Sequence, residues 1–191
     1  MEYKKDWSQY YDITRTKPAR ELLIEALSYV KSAGKAIDIG GGALRDTKYL
    51  LEKGFDVTVI DKSPLLEKEV RELKNKRLHF VVTSFADFKF PVNEYILASA
   101  MHSLPFCEPT HFSQVVTNIK SSLEKGGIFC GQMFGDCDMW ADNPEMSYHT
   151  IDQAKELLKD LELIIFREEK DFDTLNGETK CRHIFHFIAR K

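Results

Sequence analysis

Apolar residues along this chain follow two alternating patterns: stretches with helical spacing and short uninterrupted runs. After Pro18, apolar side chains recur on one helical face as far as Val30, and Gly34 supplies a signal for the helix to end. The next apolar run, 36–39, is short and continuous, as is typical of a buried parallel strand. The two patterns therefore predict a helix followed by a strand.

The same alternation continues along the rest of the chain. Further helices are predicted at 43–53, 64–75, 109–124 and 151–159, and strands at 36–39, 55–60, 78–82, 95–99, 128–134, 161–166 and 182–189. Strands separated by helices indicate βαβ units and a parallel sheet, and Asn176-Gly177 is a strong signal for a late hairpin. We predict a doubly wound α/β fold of three layers. Its seven-stranded sheet is mostly parallel with an antiparallel edge strand. Residues 18–191 are expected to form a single domain, preceded by an N-terminal arm or lid at 1–17.

Composition narrows the functional classes. The 191 residues are 43% hydrophobic and 30% charged, which is ordinary for a soluble globular protein and excludes collagen-like, disordered and membrane-spanning classes. The net charge of −3 argues against a nucleic-acid partner. The four cysteines show no C-x2-C spacing, and the N-terminus has no apolar secretory segment. We expect free thiols, no metal site, no membrane association and a cytoplasmic location.

A glycine loop carries the clearest functional signal. Gly40-Gly41-Gly42 joins the strand 36–39 to the next helix, and the strand after that helix ends at Asp61, 21 residues beyond Gly40 (61 − 40). Glycines allow a tight turn and a close approach of the backbone to a ligand. An acid at the tip of the second strand can accept hydrogen bonds from both hydroxyls of a ribose. The combination predicts a nucleoside site.

Two residues bear on which nucleoside is bound. Arg45 stands where the dinucleotide fingerprint requires glycine or alanine, which disfavours a nicotinamide oxidoreductase. Asp38, two residues before the first glycine, is unsuited to an anionic pyrophosphate. A carboxylate there would instead attract a positively charged ligand group, such as the sulfonium or ammonium of S-adenosylmethionine.

The segment D-I-G-G-G-A-L with Asp61 downstream resembles motifs I and II of class I S-adenosylmethionine-dependent methyltransferases. Arg45-Asp46 and E-K-G-F-D-V-T-V-I-D are similar to small-molecule methyltransferases of the tellurite-resistance (TehB-like) branch. The resemblance implies a Rossmann-like methyltransferase fold with S-adenosylmethionine as cofactor. One departure is Leu44, which replaces the third glycine of the family motif.

The resemblance also implies roles for individual residues in cofactor binding. Gly40 and Gly42 would approach the methionine part, Asp61 would hold the ribose, and Ser84-Phe85 would contact adenine. Asp87 is a nearby substitute for Ser84, where the family usually has aspartate. The complete set of cofactor-binding candidates is Asp38, Gly40, Gly41, Gly42, Asp61, Lys62, Ser84, Phe85, Ser99 and Ala100.

Candidates for the methyl-accepting side are more scattered. His102 follows the fourth strand and is the best candidate for a catalytic base or orienting group. Trp7 and Tyr11 could close over substrate, or could simply pack against the sheet edge. Trp140 lies in a long loop after the fifth strand, and Arg182 and His183 lie in the last strand. His183 and His186 point to opposite faces, so a regular strand cannot bring both to one metal.

These observations predict an enzyme that transfers a methyl group from S-adenosylmethionine to a small molecule by in-line displacement. The acceptor is open, from a metalloid oxyanion to a thiol or an amine. The alternative is a non-catalytic S-adenosylmethionine-binding sensor or partner subunit, which the departures at Leu44 and Ser84 favour.

Overall fold

The computed structural model describes residues 7–175 and 178–191. The helices in this part of the chain are α1 (Trp7–Thr14), α2 (Glu21–Leu27), α3 (Arg45–Glu52), α4 (Glu67–Leu73), α5 (Pro109–Ser122) and α6 (Ile151–Leu157), with 3-10 turns at Pro64–Leu66 and Leu104–Phe106. The strands are β1 (Lys35–Ile39), β2 (Asp56–Asp61), β3 (Leu78–Val82), β4 (Tyr95–Ala100), β5 (Leu123–Gly135), β6 (Tyr148–His149), β7 (Glu162–Leu175) and β8 (Glu178–Arg190).

The sheet has the strand order β3-β2-β1-β4-β5-β8-β7, with the short β6 pairing beside β5. Strands β1 to β5 pair in parallel, whereas β8 is antiparallel to both β5 and β7. The predicted fold class is therefore confirmed. Because the chain moves outward from β1 to β3 and then returns to place β4 beside β1, the order reverses between β1 and β4. Ligands of such sheets bind outside the carboxyl ends of the strands at this reversal.

Two details of the sheet differ from the prediction. The two-residue strand β6 adds an eighth strand, and it is too short to produce a recognisable pattern. Strands β7 and β8 extend well beyond the predicted 161–166 and 182–189, pairing as far as Leu175 with Glu178. The extension is rich in charged residues, so it lacks the apolar run by which the inner part was recognised. The predicted hairpin residues Asn176-Gly177 lie outside the described residues.

Two hydrophobic clusters cover the two faces of the sheet and account for the three layers. On one face, α5 and α6 contribute Phe112 and Ala154, which pack with Ile37 of β1. On the other face, α2 and α3 contribute Leu23 and Leu50, which pack with Ala36 of the same strand. Neighbouring residues of β1 thus serve opposite clusters, as the two-residue period of a strand requires. The helices lie on both faces and leave the carboxyl edge of the strands open.

Candidate functional site

A cavity of about 560 Å³ opens at the carboxyl edge of the sheet, where the strand order reverses. This volume is within the range of roughly 300–1,000 Å³ of small-molecule sites. Its lining divides into two parts. The glycine-loop half comprises Gly40–Gly42, Asp61, Ser84 and Phe85, and the aromatic half comprises Tyr11, His102, Phe106, Phe134 and Trp140.

The glycine loop holds a backbone shape that side chains would prevent. Gly40 has φ +73°, and a Cβ added there would lie 2.4 Å from the Cβ of Ser103. Gly42 also has positive φ, at +49°. The amide of Gly40 donates to the carbonyl of Ile60 at 2.7 Å, which ties the loop to the end of β2. The loop therefore presents bare backbone to the cavity at a fixed position.

Asp61 completes this half of the site. Its Oδ2 accepts a hydrogen bond from the amide of Gly42 at 3.0 Å, and its Oδ1 accepts one from the amide of Ser63 at 2.9 Å. The carboxylate is nearly buried and lines the cavity together with Lys62. Each carboxylate oxygen keeps further acceptor capacity after these two bonds. Asp61 can thus hold the loop in place and still accept hydrogen bonds from a ligand.

Ser84 and Phe85 line the cavity beyond Asp61, as does Asp87. The Ser84 hydroxyl donates to Oδ2 of Asp87 at 2.6 Å and accepts from the Asp87 amide at 3.1 Å. The two polar residues therefore form one unit beside an aromatic ring. This arrangement could contact the edge and the face of a purine.

Three of the predicted cofactor residues do not line the cavity. Asp38, Ser99 and Ala100 are buried beneath its floor. Asp38 accepts a hydrogen bond from Thr47 Oγ1 at 2.6 Å. Burial, reinforced by repulsion from the nearby Asp46, raises the pKa of the Asp38 carboxyl to about 7. Both faces of β1 and β4 are covered, which buries these three side chains, and a contact of the residues with a cofactor through their backbone stays a prediction.

Leu44 occupies the position of the third glycine of the family motif and adopts a backbone conformation that favours glycine. The residue adopts the left-handed conformation, with φ 57°, immediately before α3. Its side chain is fully buried in the same cluster as Leu23 and Leu50. Leu44 therefore packs into the core and does not line the cavity.

His102 lies in the aromatic half, again with positive φ, at 55°. Its amide donates to Oε1 of Gln132 at 2.9 Å, which fixes the backbone at the end of β4. Burial, with smaller contributions from positive charges such as that of Arg20, lowers the pKa of the His102 imidazole to about 4. The ring is therefore neutral at pH 7, when it can hydrogen-bond but is a weak general base.

Aromatic side chains from distant segments meet around this half. The ring of Trp140 lies 5.8 Å from that of Phe134 and 6.3 Å from that of Phe106, measured between centroids. Tyr11 comes from α1, within the predicted N-terminal arm; it is buried and lines the cavity beside Gly42. The structure thus brings Tyr11, His102 and Trp140 to one cavity.

The other substrate-side candidates lie elsewhere. Arg182 pairs with Glu169 and Asp171, and does not line the cavity. His183 is buried on β8 and contacts Glu168, so it does not reach the cavity either. Carboxylates of the neighbouring strand β7 hold both side chains in place. The sequence pattern placed the two residues in the last strand, but it did not show which face of the sheet lies toward the cavity. The side chain of Trp7 lies outside the described residues.

Several residues that line the cavity were not predicted from the sequence to do so. Arg20 lines the cavity at the start of α2, where its amide donates to Oδ1 of Asp46 at 2.8 Å and its guanidinium pairs with the same carboxylate. A second group follows β4 and leads into α5: Cys107, Glu108 and His111. His102 was predicted from its position after β4. The same signal applies to the whole segment that leads from β4 into α5, so it could also have indicated these residues.

Comparisons with known proteins agree with this geometry. A family model described as "Tellurite resistance protein TehB" matches residues 1–170. Trans-aconitate 2-methyltransferase from Rhodopseudomonas palustris (strain HaA2) is 31% identical over 140 residues, which are 70% of this chain and 52% of that protein. The chain spans about half the length of the curated relatives it matches.

Solved structures share the fold. The crystal structure of TehB from Haemophilus influenzae matches with a TM-score of 0.74 and 18% identity, over 95% of this chain and 65% of that chain. A Burkholderia thailandensis 1,6-didemethyltoxoflavin-N1-methyltransferase, crystallised with 1,6-didemethyltoxoflavin and S-adenosylhomocysteine, matches with a TM-score of 0.71 and 19% identity, over 96% of this chain and 81% of that chain. Among the described residues, no helix has the length and apolar character needed to cross a membrane.

Proposed function

Because the chain belongs to the TehB family, within the class I S-adenosylmethionine-dependent methyltransferases, we propose that it transfers a methyl group from S-adenosylmethionine to a small-molecule acceptor. The observation that carries the proposal is the unit formed by Gly42 and Asp61. A backbone loop free of side chains and a nearly buried carboxylate are joined by a hydrogen bond of 3.0 Å in one cavity.

The cofactor would lie along the glycine-loop half. Gly40 and Gly42 would face its methionine part, and the remaining acceptor capacity of Asp61, beside Lys62, would bind the ribose hydroxyls. Phe85 would pack on the adenine, while Ser84 and Asp87 would meet its exocyclic amine. These residues fit this ligand, because polar groups would contact its ribose hydroxyls and its exocyclic amine, and an aromatic ring would contact the face of its adenine.

Asp38 would act through the loop, without a direct contact. Its carboxyl lies directly beneath Gly41, where an added Cβ would be 3.6 Å from Oδ2. Two cationic groups, the sulfonium and the ammonium, would arrive above this loop with the cofactor. A nearby positive charge favours the ionised carboxylate, so binding would lower the raised pKa of Asp38 and release a proton.

The cofactor supplies an electrophilic methyl group whose transfer leaves a neutral thioether. The protein's part is positioning and exclusion of water, since charge is lost in this displacement. Tyr11, Phe106 and Trp140 would enclose the acceptor, and α1 would act as a lid through Tyr11. His102, neutral at pH 7, would orient the acceptor by a hydrogen bond. An acceptor that carries no proton at its attacking atom suits this site best.

The size of the cavity supports a small-molecule acceptor, and the net charge of −3 supports the absence of a nucleic-acid partner. Cysteines in the free thiol form support a cytoplasmic location. The burial of Leu44 away from the cavity gives no support to the non-catalytic alternative. Detection of turnover with any acceptor would separate the two functions.

The test is isothermal titration of the protein with S-adenosylmethionine and, separately, with NADH. We expect binding of the first alone, weakened by Asp61→Ala about 10- to 100-fold, because hydrogen bonds to a charged group contribute about 1.5–3 kcal/mol. Asp142→Ala, which removes an exposed aspartate, is the matched control. Equal binding by wild type and Asp61→Ala would contradict the site, and binding of NADH alone would replace the proposal with an oxidoreductase.

A further inference from the structure

A cluster of metal-ligating side chains lies outside the cavity, where β5 ends beside the first part of β8. The antiparallel pairing of β5 with β8 runs as far as Phe134 and Ile184, and the turn that follows β5 brings Cys137 beside Cys181. Their Sγ atoms are 2.8 Å apart. The amide of Met139 donates to the carbonyl of Cys181 at 2.7 Å, so the turn that follows β5 is tied to β8. The backbone thus holds two thiols together that are far apart in the sequence.

His183 joins these thiols on the same face of β8, two residues after Cys181. Its ring lies over Gly135, where an added Cβ would be only 2.0 Å from Nδ1. Nε2 lies 2.9 Å from Oε1 of Glu168, and Nδ1 lies 3.2 Å from Sγ of Cys137. If Nε2 donates its hydrogen to Glu168, the lone pair of Nδ1 points at the thiols. The amide of Cys137 reaches Nδ1 only at 3.5 Å, the outer limit of a hydrogen bond.

A carboxylate completes the cluster. Oδ1 of Asp136 lies 3.4 Å from Nδ1 of His183, and the ligand atoms of Asp136, Cys137 and His183 lie within 4.8 Å of one another. Each could therefore reach a common ion by small side-chain rotations. The Lys170 ammonium is within hydrogen-bonding reach of the Cys137 sulfur, so a positive charge lies beside the cluster.

We propose that Asp136, Cys137, Cys181 and His183 bind one thiophilic divalent cation, with Zn²⁺ as the natural ligand. Two sulfurs, one imidazole nitrogen and one carboxylate oxygen form a donor set that suits tetrahedral zinc. The two thiols lose their protons to solvent when the metal binds. The resulting thiolates and the carboxylate carry three negative charges, which the dication and the Lys170 ammonium together neutralise. Glu168 orients the histidine, as carboxylates behind zinc-bound histidines commonly do.

The site would be structural, because four protein ligands leave no open position. It also lies at the base of the loop that carries Trp140. Asp138 accepts from the amide of His183 at 3.0 Å through Oδ2 and from the amide of Trp140 at 3.1 Å through Oδ1. A metal at the cluster would therefore fix the stem from which Trp140 reaches the cavity. The proposal does not depend on methyl transfer.

The experiment is a titration of the metal-free protein with Co²⁺, after full reduction with a phosphine that does not bind the metal. We expect one cobalt per chain, with the thiolate charge-transfer absorption and intense visible bands of tetrahedral cobalt, displaced by one equivalent of Zn²⁺. Cys137→Ser and Cys181→Ser should each abolish these bands. Cys130→Ala, which removes a buried thiol elsewhere, is the control and should leave them unchanged.

Glu168→Gln tests the orienting role separately. It should weaken cobalt binding about 10- to 100-fold, while Glu169→Gln on the same strand should not. Circular dichroism of each variant checks that the chain is folded. Absence of thiolate–cobalt bands in the reduced wild type would overturn the proposal. If, in addition, air oxidation removes two of the four free thiols in wild type but none in Cys137→Ser, the pair is a disulfide-forming one instead.

Discussion

The two halves of the cavity are built in different ways. The glycine-loop half consists of the backbone of Gly40–Gly42, the Asp61 carboxylate and the side chains of Ser84 and Phe85, all at or just beyond the carboxyl ends of β1, β2 and β3. The aromatic half consists of side chains from α1, the connection after β4 and the segment after β5, which are separated by up to about 130 residues (140 − 11 = 129). The first half is fixed by hydrogen bonds within the sheet, and the second by packing among rings.

This difference explains what each half can do. The glycine-loop half admits little change, because its shape depends on residues without side chains at positions with positive φ. The aromatic half can change its rings without disturbing the sheet, so it is the part in which acceptor preference can vary. We therefore expect mutations in the two halves to affect different kinetic constants.

The largest effect is expected from Gly40→Ala. The new Cβ would meet Ser103 at 2.4 Å, and φ of +73° is unfavourable for alanine. The loop must shift away from both the cavity wall and Asp61. We expect the affinity for S-adenosylmethionine to fall at least about 100-fold, because a misplaced loop loses several hydrogen bonds together. Isothermal titration measures it.

Gly126→Ala is the matched control for this substitution. Gly126 also has positive φ, at +85°, but an added Cβ meets nothing within 4 Å. It should cost about 1–2 kcal/mol of stability from backbone strain and leave cofactor affinity unchanged. Similar losses of affinity in both variants would mean that general destabilisation, and no specific loop geometry, explains the effect.

Trp140→Ala should have the opposite selectivity to Gly40→Ala, because it should affect the acceptor and spare the affinity for the cofactor. The ring packs with Phe106 and Phe134 in the aromatic half while remaining 39% exposed, so its loss removes part of the apolar wall and leaves the sheet intact. We expect kcat/KM for an acceptor to fall about 10- to 100-fold, while the affinity for S-adenosylmethionine changes less than about twofold. Phe172→Ala, which removes an exposed ring on β7, should change neither. Equal losses of cofactor affinity and of kcat/KM would show that the halves do not act separately.

The difference between the two halves also determined how much of the site could be predicted from the sequence. The parallel sheet, Gly40–Gly42 and Asp61 follow from local patterns, because a strand, its turn and the next helix are contiguous in the chain. Arg20 and His111 could not be placed, since only the tertiary fold brings their segments to the cavity. The same reason hid the proximity of Cys137 to Cys181, which depends on the turn that follows β5 beside β8. Asp38 was placed correctly in the strand, but its burial beneath the glycine loop depends on packing that the local pattern does not show.

Asp38→Asn tests the electrostatics beneath the glycine-loop half. A carboxyl whose pKa is raised to about 7 stabilises the fold in its protonated form. This contribution is complete below the unfolded pKa of about 3.9 and is lost as pH rises to about 7. Between these limits, the unfolding free energy of wild type should therefore fall relative to that of Asp38→Asn, by at most about 1.4 kcal/mol per pH unit. Urea unfolding across this range measures it.

The control for this series is Asp142→Asn, which changes an exposed aspartate in the loop after β5. It should shift the whole stability curve without altering its slope between about pH 4 and pH 7. Parallel curves for wild type and Asp38→Asn would show that Asp38 is already ionised in the folded protein. Its influence on the cofactor would then be that of a fixed negative charge, with no proton released on binding.

The smallest effect on function is expected from Leu44→Gly, which restores the glycine of the family motif. Glycine relieves a left-handed conformation that costs leucine about 1–2 kcal/mol. The substitution also removes a fully buried side chain, and comparable large-to-small changes cost about 2–5 kcal/mol. We expect a net destabilisation of about 1–3 kcal/mol, measured by urea unfolding. Affinity for S-adenosylmethionine should change less than about threefold, because Leu44 packs into the core and the amides of Gly40 and Gly42 keep their partners. A large gain in affinity would mean that leucine constrains the loop against the cofactor, so the rigidity of this half would depend on core packing as well as on its glycines.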